Sequence, residues 1–387
     1  MATKTRKTRI AIACQGGGAQ TAFTAGALKA LFQEGVHEEF DIVGLSGTSG
    51  GAMCTALAWY GLRKGDKEPW KRLDAFWEEN TAKSPIEIAF NRYLVDTLRM
   101  TNRGLLPQVV RGPKSPIVAA FMKGWSRNMR PRFTDMEGLL RAHIDFEELR
   151  RWGKSGRGPV LLIGAINVLS GRLATFSSAN EAIRVEHIMA SSTVPMLFPA
   201  VEIGKAAYWD GVFSDNPPVN ALVQPIHVGA ANLPDEIWVV KINPTTCERT
   251  PVDPEEIVDR RNQLTGNLSL FQQLDTIAWL NDLYLKGAID EGFMKANNIP
   301  APVRIPKSYH DDPDLEYHIP CIEMSAALNG KLGIESKLDR SAENLHPLIA
   351  DGERQARVFL KERAALSRRL RASSSARRLR TLRPPSR

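Results

Sequence analysis

Apolar residues occur along the chain in short blocks that are separated by glycine-rich or polar turns, a pattern typical of alternating strands and helices. The first block, at 9–14, predicts a buried strand. A glycine-rich turn follows it, and apolar positions at three- and four-residue spacing then predict a helix from about 21 to 34. A second apolar block at 40–44 predicts the next strand. This order indicates an α/β fold with a largely buried parallel sheet.

The later part of the chain continues this alternation and ends in long helices. In chain order, we predict helices at 70–79, 86–98 and 134–152, strands at 159–167 and 172–177, a helix near 186–190, a hairpin of 201–203 and 206–209, and strands at 235–242 and 317–324. A long helix begins at Pro254 and carries apolar residues on one face, among them Leu264 and Leu268. A charged helix covers 339–371.

These elements divide the chain into three predicted parts. They are an α/β domain at 9–245, a mainly helical extension at 246–371 that packs on it, and a basic tail at 372–387. The tail is predicted to be disordered because it is rich in Ser, Arg and Pro. A helical insertion at 62–132 within the α/β domain is rich in aromatic residues, so it either packs on the core or forms a lid or membrane-facing cap.

Charge adds one feature to this picture. The 387 residues carry a net charge of +8, yet 361–387 alone contains ten Lys or Arg and the single acid Glu362. The basic character therefore belongs to the C-terminal segment. Such a segment is either simply solvated or binds anionic membrane surfaces, to which each basic residue contributes about 1 kcal/mol. No specific nucleic-acid partner is expected because aromatic residues are not interleaved with the basic ones.

Localisation and metal content are predicted from absent signals. No apolar run reaches the roughly 18 residues that a membrane-spanning helix needs, and the basic N-terminus lacks the apolar core of a signal peptide. The four cysteines, Cys14, Cys54, Cys247 and Cys321, are scattered without a C-x-x-C pair. We therefore expect reduced thiols, no zinc site, and a cytoplasmic protein that makes at most peripheral contact with membranes. The sequence leaves the oligomeric state open.

A G-x-S-x-G motif lies between the strand at 40–44 and a predicted helix at 52–59. Its residues are Gly47-Thr48-Ser49-Gly50-Gly51. In strand–turn–helix context this motif is typical of a serine nucleophile held on a sharp turn, with the flanking glycines avoiding Cβ clashes. An ordinary glycine-rich turn is the alternative.

A serine nucleophile needs a base. Seven histidines are available, at 37, 143, 187, 227, 310, 318 and 346, and none lies in a context typical of a catalytic loop. Asp210 is the better candidate because it ends a predicted strand and is followed by Gly211, which permits a tight turn that aims the carboxylate inward. A partly desolvated carboxylate can act as the base, since desolvation moves its pKa toward the working pH. A β-turn aspartate is the alternative.

Three consecutive glycines, Gly16-Gly17-Gly18, precede the first helix. Bare backbone N–H groups at a helix N-terminus suit an anion, either a phosphate or the oxyanion of an acyl intermediate. The loop is neither a Walker loop, because no Lys-Ser/Thr follows, nor a dinucleotide motif, because Thr21 stands where the third glycine is required.

Taken in order, these motifs resemble those of the patatin-like phospholipases. A fourth motif adds to the likeness, because 190–199 fits the family's A-S-x-x-x-P-x-x-F-P segment. The resemblance covers roughly 9–242 and implies a three-layer α/β/α sandwich with a mostly parallel central sheet. It also implies a Ser-Asp dyad of nucleophile Ser49 and base Asp210, and an oxyanion hole formed by Gly16, Gly17, Gly18 and Gly50.

Two positions depart from the family pattern. Gln20 stands where the family usually has Arg or Lys, which argues against binding of an anionic head group at that point. Val212 stands where the family commonly has Gly or Ala. Neither change affects the dyad.

The expected function is that of a lipid acyl hydrolase of phospholipase A type, which cleaves carboxylic esters through an acyl-enzyme and requires no metal or organic cofactor. Its substrate would be a phospholipid or another lipid ester. Two alternatives remain open at this point. One is a Ser-His-Asp esterase or acyltransferase, and the other is a binding protein that keeps an inactive hydrolase fold.

Overall fold

The structure is a computed structural model that describes residues 6–107, 115–156, 158–195, 198–285, 287, 288, 290, 292, 296 and 319–381. The strands are β1 (Arg9–Cys14), β2 (Asp41–Thr48), β3 (Val160–Asn167), β4 (Leu173–Ser177), β5 (Val201–Ile203), β6 (Ala206–Asp210), β7 (Glu236–Lys241) and β8 (Cys321–Glu323). The helices are α1 (Ala22–Gln33), α2 (Val36–Glu39), α3 (Gly50–Lys64), α4 (Trp70–Asn80), α5 (Pro85–Asn102), α6 (Pro116–Ser126), α7 (Pro131–Thr134), α8 (Met136–His143), α9 (Phe146–Trp152), α10 (Val185–Ser192), α11 (Pro225–Val228), α12 (Pro254–Leu285), α13 (Ala326–Asn329) and α14 (Ala342–Thr381). Short 3-10 turns lie at Gly18–Thr21, Gly211–Phe213, Asn220–Val223, Ala230–Asn232 and Ile334–Lys337.

One eight-stranded sheet runs through the protein in the order β5-β6-β3-β2-β1-β7-β8, with β4 also paired to β3. The five strands from β3 to β8 in this order are parallel, whereas β4, β5 and β6 are joined by antiparallel pairing. The central strands are buried on both sides, which is why they read as continuous apolar runs rather than as alternating patterns.

Alternate residues of the central strands enter two separate hydrophobic cores. Ile10 and Ile12 of β1 face a core that is covered by α1, α3, α4, α10 and α14. Ala11 and Ala13 face a second core that includes Leu222 and residues of α12. Because both faces of the sheet are covered by helices, the predicted three-layer α/β/α sandwich is confirmed.

The C-terminal part of the chain belongs to the same sheet and core as the α/β part. Strand β8 extends the sheet beyond β7, and α14 crosses α1 closely, since a Cβ on Gly26 would lie 2.0 Å from the Ile349 carbonyl oxygen. Arg363 Nε of α14 donates to Glu236 Oε2 (2.9 Å) at the start of β7. The division at residue 245 therefore does not separate two cores, and the three sequence ranges of that division otherwise stay predictions.

Two helices differ from their predicted form. Helix α14 continues to Thr381, past the predicted end at Arg371 and into the segment expected to be disordered, and the Ala, Leu and Arg residues there are good helix formers. On α12, Leu264 and Leu268 are 54% and 59% exposed rather than packed inward. The buried face of this helix instead combines Leu270 and Ile277 with the polar residues Asn267 and Gln273, whose amides bind neighbouring loops as described below.

The aromatic insertion is mostly packed. Phe76 and Trp77 of α4 are buried in the main core, and Phe90 of α5 forms a small cluster with Met129 and Phe133. These contacts favour packing over a lid for this part of the insertion, whose residues 108–114 lie outside the described ranges. Among the described helices, none is both long and apolar enough to cross a bilayer.

Candidate active site

Ser49 lies at the sharp turn between β2 and α3. Its backbone has φ 55° and ψ −130°, and no other non-glycine residue of the described ranges has a positive φ. A Cβ on Gly47 would lie 2.6 Å from the Gly51 carbonyl oxygen, and one on Gly51 would lie 2.4 Å from the Cys14 carbonyl oxygen. The turn therefore needs both glycines, and it keeps Ser49 in a strained conformation at the N-terminus of α3.

Asp210 is brought to Ser49 by strand register. On β3, Gly164 pairs with Thr48 of β2, and the next residue, Ala165, pairs with Asp210 of β6. Because Gly164 and Ala165 also pair with β4, β4 occupies the other edge of β3. Strands β2 and β6 therefore follow one another along a single edge, and the end of β6 meets the end of β2.

At this junction, Ser49 Oγ donates a 2.7 Å hydrogen bond to Asp210 Oδ2. The other carboxylate oxygen, Oδ1, accepts from the Val212 N–H at 2.8 Å. Asp210 is only 1% exposed, and Ser49 is 8% exposed. Gly211 is required directly after the acid, because a Cβ there would lie 2.4 Å from the Gly164 carbonyl oxygen.

Burial controls the electrostatics of this pair. Desolvation raises the pKa of the Asp210 carboxyl to about 7, against the opposing effects of the Val212 N–H, the Ser49 hydroxyl and the Lys337 ammonium. A carboxyl with a pKa near neutrality can both accept and return a proton at physiological pH.

The glycine loop lies directly against Ser49. A Cβ on Gly16 would come within 2.8 Å of the Ser49 Cβ, so the loop can approach this closely only as glycine. The Gly16 N–H already donates to Asn216 Oδ1 at 2.6 Å. Within the described ranges, the N–H groups of Gly17, Gly18 and Gly50 donate to no protein acceptor. The structure thus brings all four predicted glycines together, but it leaves three of their N–H groups free to bind an anion.

Sequence reasoning missed several residues that support this arrangement. Ser191 Oγ accepts from the Ser49 N–H (2.9 Å) and donates to the Gly164 carbonyl oxygen (2.6 Å), so it fixes the turn against β3. In the sequence, only the position of Ser191 in the 190–199 motif indicated that this residue supports the site. Asn216 and Gln15 both bind the Gly266 carbonyl oxygen of α12, which anchors the loops on either side of the site.

Two further amides come from α12 itself. Asn267 Oδ1 accepts from Gln15 Nε2 at 3.0 Å. Gln273 Oε1 accepts from the Val219 N–H at 2.7 Å, and Gln273 Nε2 donates to the Pro217 carbonyl oxygen at 3.0 Å. These buried amides satisfy loop backbone groups that would otherwise be buried without partners. They explain why two polar side chains share the buried face of this helix with Leu270 and Ile277.

None of the five described histidines forms a hydrogen bond with Ser49 or Asp210. His187 is fully buried, but its ring stacks on Phe176 at 4.4 Å, and His143 Nε2 lies 2.9 Å from Glu79 Oε2. His310 and His318 lie outside the described residues. In the described part of the chain, the hydrogen-bond partner of the Ser49 hydroxyl is therefore a carboxylate.

Comparison with known proteins agrees with this geometry at the level of the family. The family model described as patatin-like phospholipase matches residues 12–223, which contain Ser49, Asp210 and the glycine loop. The chain belongs to the patatin-like phospholipase family. Membership in this family of lipid hydrolases confirms the fold class and, in general terms, a lipid substrate. No curated protein matches the chain.

Solved structures give weaker similarities to this patatin-like chain. VipD from Legionella pneumophila is 15% identical with a TM-score of 0.38, and the match covers 92% of this chain and 67% of that one. The heterodimeric ExoU–SpcU complex from the type III secretion system of Pseudomonas aeruginosa is 15% identical with a TM-score of 0.25, over 70% of this chain and 52% of that one. The patatin-like chain thus spans between half and two thirds of these proteins.

Proposed function

We propose that this patatin-like protein is a lipid acyl hydrolase of phospholipase A type, with Ser49 as nucleophile and Asp210 as general base. The observation that carries the proposal is the 2.7 Å hydrogen bond from Ser49 Oγ to Asp210 Oδ2 at a strained turn. The raised pKa of Asp210 supports the role of base. The free N–H groups beside Ser49 support acyl chemistry, because an ester carbonyl develops negative charge on its oxygen during attack.

The proposed reaction has two steps. Ser49 Oγ passes its proton to Asp210 and attacks the ester carbonyl carbon, and the oxyanion is bound by the N–H groups of Gly17, Gly18 and Gly50. The tetrahedral intermediate collapses and breaks the bond to the alcohol, which takes the proton from Asp210. A water molecule then gives a proton to Asp210 and attacks the acyl-enzyme, and the returning proton restores Ser49 as the fatty acid leaves. Gly16 does not bind the oxyanion through its N–H, which is bound to Asn216. It is needed because a side chain there would clash with Ser49.

The proposal is tested by fatty-acid release and by labelling of the nucleophile. Wild-type protein in EDTA should release fatty acid from mixed micelles of detergent with phospholipids, lysophospholipids or neutral glycerides, and the preferred lipid identifies the substrate class. A fluorophosphonate probe should abolish release and add its mass to the peptide that contains Ser49. Labelling of another serine, or release that persists after complete labelling, would contradict the assignment. No release and no labelling would favour the inactive binding protein.

The pH dependence follows from the raised pKa of Asp210. Because the base must be deprotonated in the free enzyme, kcat/KM should rise about tenfold per pH unit below about 7 and level off above it. Measurement on one soluble ester between pH 5 and pH 8 checks this. A flat profile over this range, as expected for a base with the ordinary aspartate pKa near 4, would show that burial does not control the base.

Two further expectations stay predictions. The basic segment at 361–387, which is helical to Thr381, keeps the two alternatives of a solvated segment and of peripheral contact with anionic membranes. The cytoplasmic location predicted from the sequence is likewise untested.

A further inference from the structure

A turn from the far end of the chain packs against the glycine loop of the candidate active site. Gln20 Nε2 donates to Ser336 Oγ at 2.7 Å. A Cβ on Gly18 would lie 2.2 Å from the Lys337 carbonyl oxygen. The 3-10 turn Ile334–Lys337 therefore lies behind the backbone N–H groups that are proposed to bind the oxyanion. This turn lies outside residues 12–223, the part of the chain that the family model matches.

The Lys337 ammonium is fixed beside this loop by neutral partners. Its Nζ donates to Asn243 Oδ1 at 2.9 Å and also to Asn262 Oδ1. Within the described ranges, no carboxylate forms an ion pair with it. The Lys337 side chain is only partly exposed. A positive charge that is held by amides and partly shielded from bulk water acts over a longer distance than a fully exposed charge, because solvent screens it less.

The space beside the ammonium is too small for a polyatomic anion. The cavity beside it, lined in part by Gln20, Asn243 and Asn262, has a volume of about 20 Å³, which suffices for roughly one water molecule. A phosphate group does not fit there. No phosphate group in this cavity therefore offsets the charge, which acts on neighbouring groups of the protein.

The glycine loop has no cation of its own. Residues 15–21 contain no charged side chain. Among the groups that act on Asp210, the Ser49 hydroxyl and the Val212 N–H are neutral, and Lys337 carries the positive charge. In turn, Lys337 is acted on by Asp259 of α12 and by Asp210.

We propose that Lys337 is a positioning residue for acyl transfer, whose fixed positive charge stabilises the Asp210 carboxylate and the oxyanion beside Gly17 and Gly18. It supplies from the C-terminal part of the chain a positive charge that residues 15–21 do not contain. This inference rests on the proposed function. It adds the positive charge of Lys337 to the dyad and the free N–H groups as a condition for full activity.

The charge of Lys337 should affect both sides of the pH profile of kcat/KM, namely the rise at acidic pH (the acidic limb) and the fall at alkaline pH (the alkaline limb). Removal of the Lys337 charge raises the pKa of Asp210, so the acidic limb of kcat/KM moves to higher pH. Desolvation lowers the pKa of Lys337 itself to about 8, so the wild type should lose activity as the pH rises through about 8. That alkaline limb should vanish when residue 337 no longer titrates in this range.

The experiment compares Lys337→Met and Lys337→Arg with the wild type over pH 5–10. Lys331→Met is the matched control, because it removes an exposed lysine from the same segment. We expect Lys337→Met to lower kcat about tenfold with little change in KM. This loss is smaller than the factor of about 10²–10³ that a direct oxyanion donor contributes, because Lys337 does not touch the oxyanion. The same variant should shift the acidic limb to higher pH and lose the alkaline limb. Lys337→Arg should retain more of the rate and also lose the alkaline limb, since Arg stays charged. Lys331→Met should match the wild type.

If Lys337→Met does not fold, Asn262→Asp provides the test. It places a carboxylate against Nζ and should shift the acidic limb upward while it raises the pH of the alkaline limb. The proposal would be overturned if the folded variants kept both limbs of the pH profile at their wild-type positions. If the Met and Arg variants in addition lost the same amount of rate, the role of Lys337 would be purely structural. Failure of the proposed function is distinguished by activity that survives Ser49→Ala or Asp210→Asn in an otherwise wild-type chain.

Discussion

Asp210→Asn should lower kcat/KM for lipid ester hydrolysis by about 10³-fold or more at pH 8. The amide is nearly isosteric with the carboxyl but cannot accept the proton of Ser49, and loss of a positioned base removes about 10²–10⁴ in rate. Fatty-acid release by purified variant and wild type measures the effect. Asp215→Asn is the matched control, because Asp215 is another largely buried carboxyl whose pKa is raised by burial, and it contacts Thr48 through its backbone carbonyl.

The control should retain most of the activity. If Asp210→Asn remained active while substitution of a single histidine abolished release, the Ser-His-Asp alternative would replace the proposed dyad.

The same substitution has a stability signature that shows whether the fold is intact. The folded-state pKa of Asp210 is about 7, whereas its ordinary value is 3.8. The folded protein therefore retains a proton that the unfolded chain releases between these two pH values. The wild type therefore loses stability as the pH rises from about 4 to about 7. The Tm of Asp210→Asn relative to that of the wild type should increase between pH 5 and pH 8. A constant difference would mean that the carboxyl is not desolvated as the structure indicates.

The sequence predicted the dyad because both of its residues lie in local patterns. Ser49 is marked by glycines at fixed spacing around a strand–helix turn, and Asp210 by a strand end followed by glycine. Their meeting depends on the register of β3, in which the neighbours Gly164 and Ala165 pair with two different strands. No local pattern encodes that register. Here the order of the motifs along the chain, rather than any single motif, made the prediction possible.

Residues that support the site were missed because their partners are distant in the chain. Lys337, Asn267 and Gln273 lie beyond residue 245, in a part of the sequence that offers only helical periodicity. Periodicity reports apolar stripes, so it did not indicate that Asn267 and Gln273 share the buried face of α12 with Leu270 and Ile277. The hydrogen bond from the Gly16 N–H to Asn216 could not be predicted either, because the two residues are distant in the sequence. A glycine triplet predicts available donors but not which of them the fold leaves free.

Ser49→Ala and Ser49→Gly should both abolish hydrolysis, with a loss of about 10⁴-fold or more, because no other group can form the acyl-enzyme. The two variants should nevertheless differ in stability. Both lose the hydrogen bond to Asp210, but alanine retains the strained backbone at φ 55°, ψ −130°, whereas glycine adopts it freely. Such strain amounts to about 1–3 kcal/mol, and the greater freedom of glycine in the unfolded chain offsets about 0.4–1 kcal/mol of that.

Denaturant unfolding should therefore find Ser49→Gly more stable than Ser49→Ala by about 1 kcal/mol. This sign is unusual, because glycine normally destabilises a folded chain relative to alanine. Ala52→Gly, inside α3, is the matched comparison and should lower the free energy of unfolding by about 0.5–1 kcal/mol or more. If glycine were the less stable residue at position 49 as well, the turn would not be strained. The strained conformation of Ser49 is thus expected to lower the stability of the protein. The substitution that relieves this strain, Ser49→Gly, also removes the proposed nucleophile and with it the hydrolysis.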